Sequence, residues 1–319
     1  MLSPGGVRQA AEPSTLGTAY DERVGTAGVV LAGGRSSRMG TPKAALEWHG
    51  STLLRRTVGV LARATDGPVV VVRAPGQDLP ELPAGTVVAD DPREGKGPVQ
   101  GIAAGLAALR EHADAAFVSS TDMPFLHPAF IGRVMRALTA PGGPDVVLPV
   151  AHGFRQPLAA GYKVSLAEAA QRLVGQDQLR PAFLFAGATV TQLDDAGLLA
   201  DPVLAALDPD LDSVLNVNDP AGYQTARARP APEVTVLLSG ALVRPGRPGG
   251  PQLVRAATVA EAADAAALAF GRHVTAVLNG EQVTSDGQVP LVAGDTVSFR
   301  PALARGHFMG TVTGPGWGV

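Results

Sequence analysis

Of 26 basic residues in the 319-residue chain, three are lysines: Lys43, Lys96 and Lys163. Lys43 and Lys96 stand in glycine-rich segments, each between a strand-like apolar run and a helical pattern. A compact ammonium beside glycines suits an anionic phosphate. The first of these segments is Leu31-Ala-Gly-Gly-Arg-Ser-Ser-Arg-Met-Gly-Thr-Pro-Lys43. Leu31 and Ala32 deliver the chain from the strand, and Gly33 and Gly34 let the backbone turn tightly against an anion. Arg35 and Arg38 can fork onto phosphate oxygens, and Lys43 adds a mobile charge. The spacing matches neither a P-loop nor a dinucleotide fingerprint. A solvated surface loop therefore stays open beside a triphosphate loop.

Four further segments carry groups of matching chemistry. Ala89-Asp90-Asp91-Pro92-Arg93-Glu94-Gly95-Lys96-Gly97-Pro98 puts carboxylates at a strand end, where one could accept from ribose hydroxyls or base amino groups. Gly95 and Gly97 permit close approach to a base or phosphate, although Asp-Asp-Pro is also an ordinary turn. In Ser119-Ser-Thr-Asp-Met-Pro124, Asp122 leaves a buried strand and is placed to hold a hard divalent cation. Magnesium takes one or two protein carboxylates plus substrate phosphates; the rival role for Asp122 is a helix cap. Leu215-Asn-Val-Asn-Asp-Pro220 sets Asn216 and Asn218 at i and i+2, facing the same way if the segment is extended. Asn216 also suits an Asx turn. Arg155 and Gln156 lie in Gly153 to Tyr162, a loop feeding a short strand.

The elements that must position these groups alternate along the chain. Strands are expected at Thr26 to Ala32, Val69 to Val72, Thr86 to Ala89, Ala115 to Ser119 and Asp145 to Val150. Helices are expected at Ser51 to Ala64, Gly97 to Arg110 and His127 to Leu138, the first capped by Ser51 or Thr52. The pattern predicts an open, mostly parallel α/β sheet with ligands at the carboxyl ends of its strands. Asp219-Pro220 opens the last helix of this part. Ala226 to Pro232 reads as a linker. Beyond it, Glu233 to Leu238 is a strand, Ala241 to Pro251 a turn region and Thr258 to Phe270 a helix capped by Thr258 with Glu261. His273 to Leu278 and Asp295 to Phe299 are strands, with Asn279-Gly280 a tight turn. The result is a small mixed sheet wrapped on one helix.

Composition removes whole classes of chemistry. The chain has no cysteine, which excludes disulfide scaffolds, thiolate zinc, iron–sulfur clusters and a thiol nucleophile, and suits a cytoplasmic protein. Net charge is −3, so no global field calls for nucleic acid. Met1 to Arg23 lacks the apolar core of a signal peptide and reads as a loose leader, and no run is long enough to span a membrane. His49, His112, His127, His152, His273 and His307 form no metal-ligand motif and are expected at surfaces or helix caps.

The loop Leu31 to Lys43, Gly97-Pro98 with Gly101, Thr121-Asp122-Met123-Pro124-Phe125, Gln156-Pro157 and Asn216-Val217-Asn218 together resemble the molybdenum cofactor guanylyltransferases of the glycosyltransferase-A-like nucleotidyltransferase superfamily. The resemblance runs from about Thr26 to Arg227. It implies a Rossmann-like three-layer α/β fold and magnesium-dependent transfer of GMP from GTP to molybdopterin, with release of pyrophosphate. It further implies that Leu31, Ala32, Gly33, Gly34, Arg38, Lys43, Asp91, Gly97 and Asp122 surround the nucleotide. Arg38, Lys43 and Asp122 would act in catalysis. Asp122 would bind the metal, with Asn218 a second candidate ligand, and Arg155, Gln156, Asn216 and Asn218 would face the acceptor. The partners would be these small molecules and other molybdenum cofactor biosynthesis proteins. Gly-Thr-Pro-Lys also ends this loop in cytidylyltransferase relatives, so CTP remains an alternative donor. A non-catalytic scaffold is a third reading.

Val277-Leu-Asn-Gly-Glu281 and Val292-Ala-Gly-Asp-Thr-Val297, in their order of elements, resemble the ubiquitin-like (β-grasp) sulfur carriers that feed molybdopterin synthase. Such carriers end in Gly-Gly. Here Pro301-Ala-Leu-Ala-Arg-Gly306 has one glycine and is followed by His307 to Val319, which favours docking or regulation over sulfur carriage. The expected organisation is a leader over 1–24, a nucleotidyltransferase domain over 25–228, a β-grasp domain over 229–306 and a tail over 307–319.

Overall fold

The computed structural model describes residues 25–33, 42–92, 97–245 and 249–302. Strand β1 (Thr26–Leu31) buries Ala27, Val29 and Val30 completely, because the sheet is covered on both faces. After Pro42 comes a 3-10 turn at Lys43–Ala45, then a hairpin of β2 (Glu47–Trp48) and β3 (Ser51–Thr52). Helix α1 (Leu53–Ala64) follows, and Thr52 caps it by accepting from Arg55 N at 3.2 Å. Next along the chain are β4 (Val69–Arg73), β5 (Val87–Asp90), α2 (Pro98–Ala108), β6 (Ala115–Ser120) and α3 (Pro128–Leu138). Then come β7 (Val146–Ala151), β8 (Phe154–Arg155), β9 (Ala159–Lys163), α4 (Ala167–Gly175), α5 (Pro181–Ala186) and β10 (Val190–Asp194). Short helices α6 (Asp195–Leu199) and α7 (Pro202–Leu207) precede α8 (Pro220–Arg227).

The strands order as β10-β7-β9-β6-β1-β4-β5, with β8 folded back on β7. Neighbours run parallel from β6 through β1 and β4 to β5, and again between β7 and β10. Strand β9 is antiparallel to both β6 and β7. The carboxyl ends of β1, β6 and β7 therefore share one edge. Helices α1 and α3 cover one face, where Val58, Leu61, Phe130 and Val134 pack on Val30, Val71, Phe117 and Val147. Helices α2 and α4 cover the other, with Ile102, Leu106 and Ala170 against Val29, Val72, Val118 and Leu148. This is the expected three-layer, parallel-rich sheet.

A second sheet follows. It contains β11 (Glu233–Leu238), β12 (Gln252–Arg255), β13 (Val274–Leu278), β14 (Gln282–Thr284) and β15 (Thr296–Pro301), in the order β12-β11-β15-β13-β14. The central pair β11 and β15 is parallel and the remaining pairs are antiparallel. Helix α9 (Val259–Ala265) lays Val259, Ala262 and Ala263 on Val236, Leu238, Val297 and Phe299. It stops five residues before the expected Phe270. Ala267 takes a left-handed φ of 53°, Leu268 N donates to Ala263 O and Ala267 N to Asp264 O, a closure usually made by glycine.

The two sheets are joined along α1. Arg63 donates to Asp295 Oδ1 at 2.5 Å and to Pro290 O at 2.8 Å, and Arg55 pairs with Asp286 at 2.6 Å. The expected linker is tied down as well: its first residues complete α8, and Arg229 pairs with Asp212 at 2.8 Å while lying 4.7 Å over the Phe125 ring. No helix among the described residues is long and apolar enough to cross a membrane.

Candidate active site

The site gathers where β1 and β6 end. Ala32 N and Gly33 N both donate to Val72 O, at 2.8 and 3.2 Å, so the chain leaves the sheet beside β4. Gln77 Nε2 donates to Ala32 O at 3.0 Å and braces the same exit. Gly34, Arg35 and Arg38 lie outside the described residues, as do Lys96 and Gly306. Past Pro42, Leu46 N closes the 3-10 turn on Lys43 O at 3.1 Å while Ala44 is buried beneath it. The turn holds the root of Lys43 at the edge of the sheet.

It reaches across to two other segments. Lys43 Nζ donates to Asp122 Oδ2 at 3.0 Å and to Asn218 Oδ1 at 3.0 Å. The Lys43 and Asp122 side chains retain 20% and 17% exposure, so a ligand can approach them. Asp122 is oriented twice: Ser120 Oγ donates to its Oδ1, and Val217 N donates to its backbone carbonyl at 2.8 Å. Val217 is buried between exposed Asn216 and Asn218, the alternation expected of an extended segment. Asn216 turns back, its Nδ2 donating to Val214 O at 3.2 Å. Asp122 does not cap α3. His127 does, its Nδ1 accepting from Ala129 N at 3.0 Å.

Asp91, Gly97, Arg155 and Gln156 lie past the carboxyl ends of β5 and β7, on the same edge of the sheet. Asp91 N donates to Arg73 O at 2.7 Å, and its carboxylate accepts from Gln100, a buried side chain in the first turn of α2. Gly97 precedes that helix with a φ of 86°, and a Cβ there would stand 3.3 Å from Leu179 O. Arg155 is exposed on the hairpin that continues β7, paired in register with Val150, and half-buried Gln156 follows it. Sequence reading passed over Ser120, Gln77 and Gln100. Each is a small polar residue one or two hydrogen bonds from a predicted group, with no spacing of its own to mark it.

Among the described residues no three His, Cys, Asp or Glu side chains converge on one point. A cation here would rest on the Asp122 carboxylate and the Asn218 amide oxygen, with the Lys43 ammonium already lying between them. Hard oxygen donors of this kind, few in number, fit magnesium, which fills its shell with water and substrate phosphate. The arrangement can neutralise and orient a polyphosphate.

Ligands of a parallel α/β sheet collect at the carboxyl edge, where this cluster stands. Comparison with known proteins makes this specific: the chain belongs to the MobA-like NTP transferase domain family, whose model matches residues 28–190, and is a nucleotidyltransferase. A probable molybdenum cofactor guanylyltransferase of Mycobacterium avium (strain 104) is 44% identical over 151 residues, 46% of this chain and 74% of that protein. The probable molybdenum cofactor guanylyltransferase of Mycobacterium tuberculosis (strain ATCC 25618 / H37Rv) is 40% identical over 166 residues, 51% of this chain and 80% of that one. The crystal structure of molybdopterin-guanine dinucleotide biosynthesis protein A from Archaeoglobus fulgidus superposes with a TM-score of 0.50 at 21% identity. It covers 63% of this chain and 96% of that one, a likeness of fold.

Proposed function

We propose that this protein transfers GMP from GTP to molybdopterin. A phosphate oxygen of the pterin forms a bond to the α-phosphorus of GTP, the bond to the β-phosphate oxygen breaks, and pyrophosphate leaves. The observation that carries the reading is the bridging of Asp122 and Asn218 by Lys43 at the end of β6. The likeness to guanylyltransferases supplies the nucleotide and acceptor.

A phosphate monoester is already an anionic nucleophile, so no histidine base is required. The barrier is the meeting of two anions, which positioned positive charge lowers. Asp122 and Asn218 would hold magnesium, whose charge offsets that of the phosphates when bound. Lys43 would exchange its carboxylate for triphosphate oxygens, and Arg38 would add a second cation. Gly33, Gly34 and Gly97 would let backbone approach the nucleotide, Asp91 would accept from guanine, and Arg155, Gln156 and Asn216 would face the pterin.

The part following the linker is read as a β-grasp unit: a parallel central pair flanked by antiparallel strands on one helix supports this. The start of the second sheet at Glu233 supports a proposed boundary between 228 and 229. Pyrophosphate release measured with GTP or CTP, with and without molybdopterin, tests the function. Release with GTP that requires the acceptor is expected. A preference for CTP would change the donor, and no release with either would overturn the enzyme reading.

A further inference from the structure

The segment carrying Asp122 is pinned from outside. Besides His127 N, which donates to Ser213 Oγ at 3.1 Å, three bonds do this. Val217 N holds the carbonyl of Asp122 at 2.8 Å. Arg56 Nε donates to Pro124 O at 2.7 Å, and its Nη1 donates to Leu291 O at 3.2 Å. His127 Nε2 meets Ala293 O at 3.0 Å. Two of the three therefore run, directly or through Arg56, to the segment that leads into β15 of the second sheet.

Arg56 is the unusual member. It is 7% exposed, and burial pulls its pKa down to about 10. Its guanidinium donates to backbone carbonyls of two distant segments, Pro124 O and Leu291 O, rather than to a carboxylate. A buried guanidinium is costly, and for stability alone an apolar side chain of similar volume would serve as well. What a guanidinium adds is geometry, a planar fork joining two carbonyls at set positions. One of those carbonyls lies two residues beyond Asp122.

We propose that Arg56 is a positioning residue, and that the second sheet acts through it as a fixed brace for the loop 121–127 of the nucleotidyltransferase site. The inference rests on the proposed role of Asp122. It assigns the fused unit a resident task within the same chain, independent of its terminal residues. Arg55, the neighbour on α1, supplies the contrast: it joins the same two parts through Asp286 and Glu81 and touches nothing in the loop.

The test uses the full chain with Arg56→Met, Arg56→Lys and Arg55→Met. Amide hydrogen exchange over residues 121–127 is followed by mass spectrometry without substrate, and kcat and KM are measured with the preferred triphosphate. Arg56→Met is expected to speed exchange in 121–127 about tenfold or more and to lower kcat by a similar factor, with KM within about twofold. Arg56→Lys, which can reach one carbonyl at a time, should fall between it and the wild type. Arg55→Met should lower the melting temperature while leaving loop exchange and kcat within about twofold. Unchanged loop exchange in a folded Arg56→Met chain would overturn the proposal. If Arg56→Met fails to fold, unchanged exchange in Arg56→Lys overturns it equally. So would equal losses in the Arg55 and Arg56 variants at equal loss of stability. Because the exchange readout needs no substrate, it decides the brace even if the chain proves inactive with GTP.

Discussion

Lys43 holds a carboxylate and an amide together at the end of β6, where the proposed reaction would bring a triphosphate. The pair keeps 20% and 17% side-chain exposure, and a pair so open to solvent adds little to the fold. Lys43→Gln is accordingly expected to change stability by less than about 1 kcal/mol while lowering the rate of pyrophosphate release on the order of a hundredfold or more. Thermal unfolding and initial rates on the same preparation check this, and a full rate in the variant would remove Lys43 from the mechanism. His127 makes a different prediction. Its Nε2 faces a carbonyl, an acceptor, and its Nδ1 faces the Ala129 N–H, a donor, so the ring is neutral with its proton on Nε2. Burial is the leading cause that holds its pKa below the ordinary 6.5, and Arg63 adds to it. The Ala293 carbonyl, Asp208 and Asp295 pull the other way. The unfolded chain thus takes up this proton first. The contribution is complete above about pH 6.5 and is lost as pH falls toward the lower folded value. Melting temperatures from about pH 8 to about pH 5 should decline less steeply in His127→Gln; parallel profiles would refute the assignment.

Helix α2 lies so close to the sheet that one position admits no side chain. A Cβ on Gly105 would stand 2.4 Å from Val29 Cγ1 and 3.3 Å from Val72 Cγ2. Alanine favours a helix by up to about 1 kcal/mol over glycine, but overpacking a buried contact costs about 1–3 kcal/mol. Gly105→Ala should therefore destabilise the chain by about 1–2 kcal/mol in denaturant unfolding, and a gain would show that α2 can lift. The main strands and helices were legible because buried apolar runs alternate with helical periods. The misses have particular causes. Strand β14, Gln-Val-Thr, and strand β12, Gln-Leu-Val-Arg, are short edge strands with little burial to pattern them. Strand β9 has the apolar content of its neighbours, and its reversed direction follows from the β8 hairpin, which composition does not encode. The early end of α9 turns on Ala267 adopting a backbone state that glycine usually marks.

At the scale of the molecule, the two sheets meet through desolvated contacts. Arg63 and Asp295 keep 8% and 4% side-chain exposure, and Asp295 also accepts from Asn279 Nδ2 at 2.9 Å and Val292 N at 2.8 Å. Gly59 faces the same seam, where a Cβ would lie 2.6 Å from Pro290 Cδ. Gly59→Val should wedge the seam open at a cost on the order of 1–3 kcal/mol. Scanning calorimetry is expected to show one transition for the wild type and two for the variant. A single unshifted transition would mean that the seam does not couple the parts.

By itself the sequence determined the layered α/β architecture and singled out Lys43, Asp122 and Asn218. Local periodicity and residue chemistry are written in consecutive residues, and the strands that run parallel send their carboxyl ends to one side. Tertiary structure alone decided that Lys43 bridges Asp122 and Asn218, residues 79 and 175 positions away. It also decided that the second sheet is clamped on α1 and backs the Asp122 loop through Arg56. Contacts at such separations depend on how buried surfaces fit, and no local pattern records that fit.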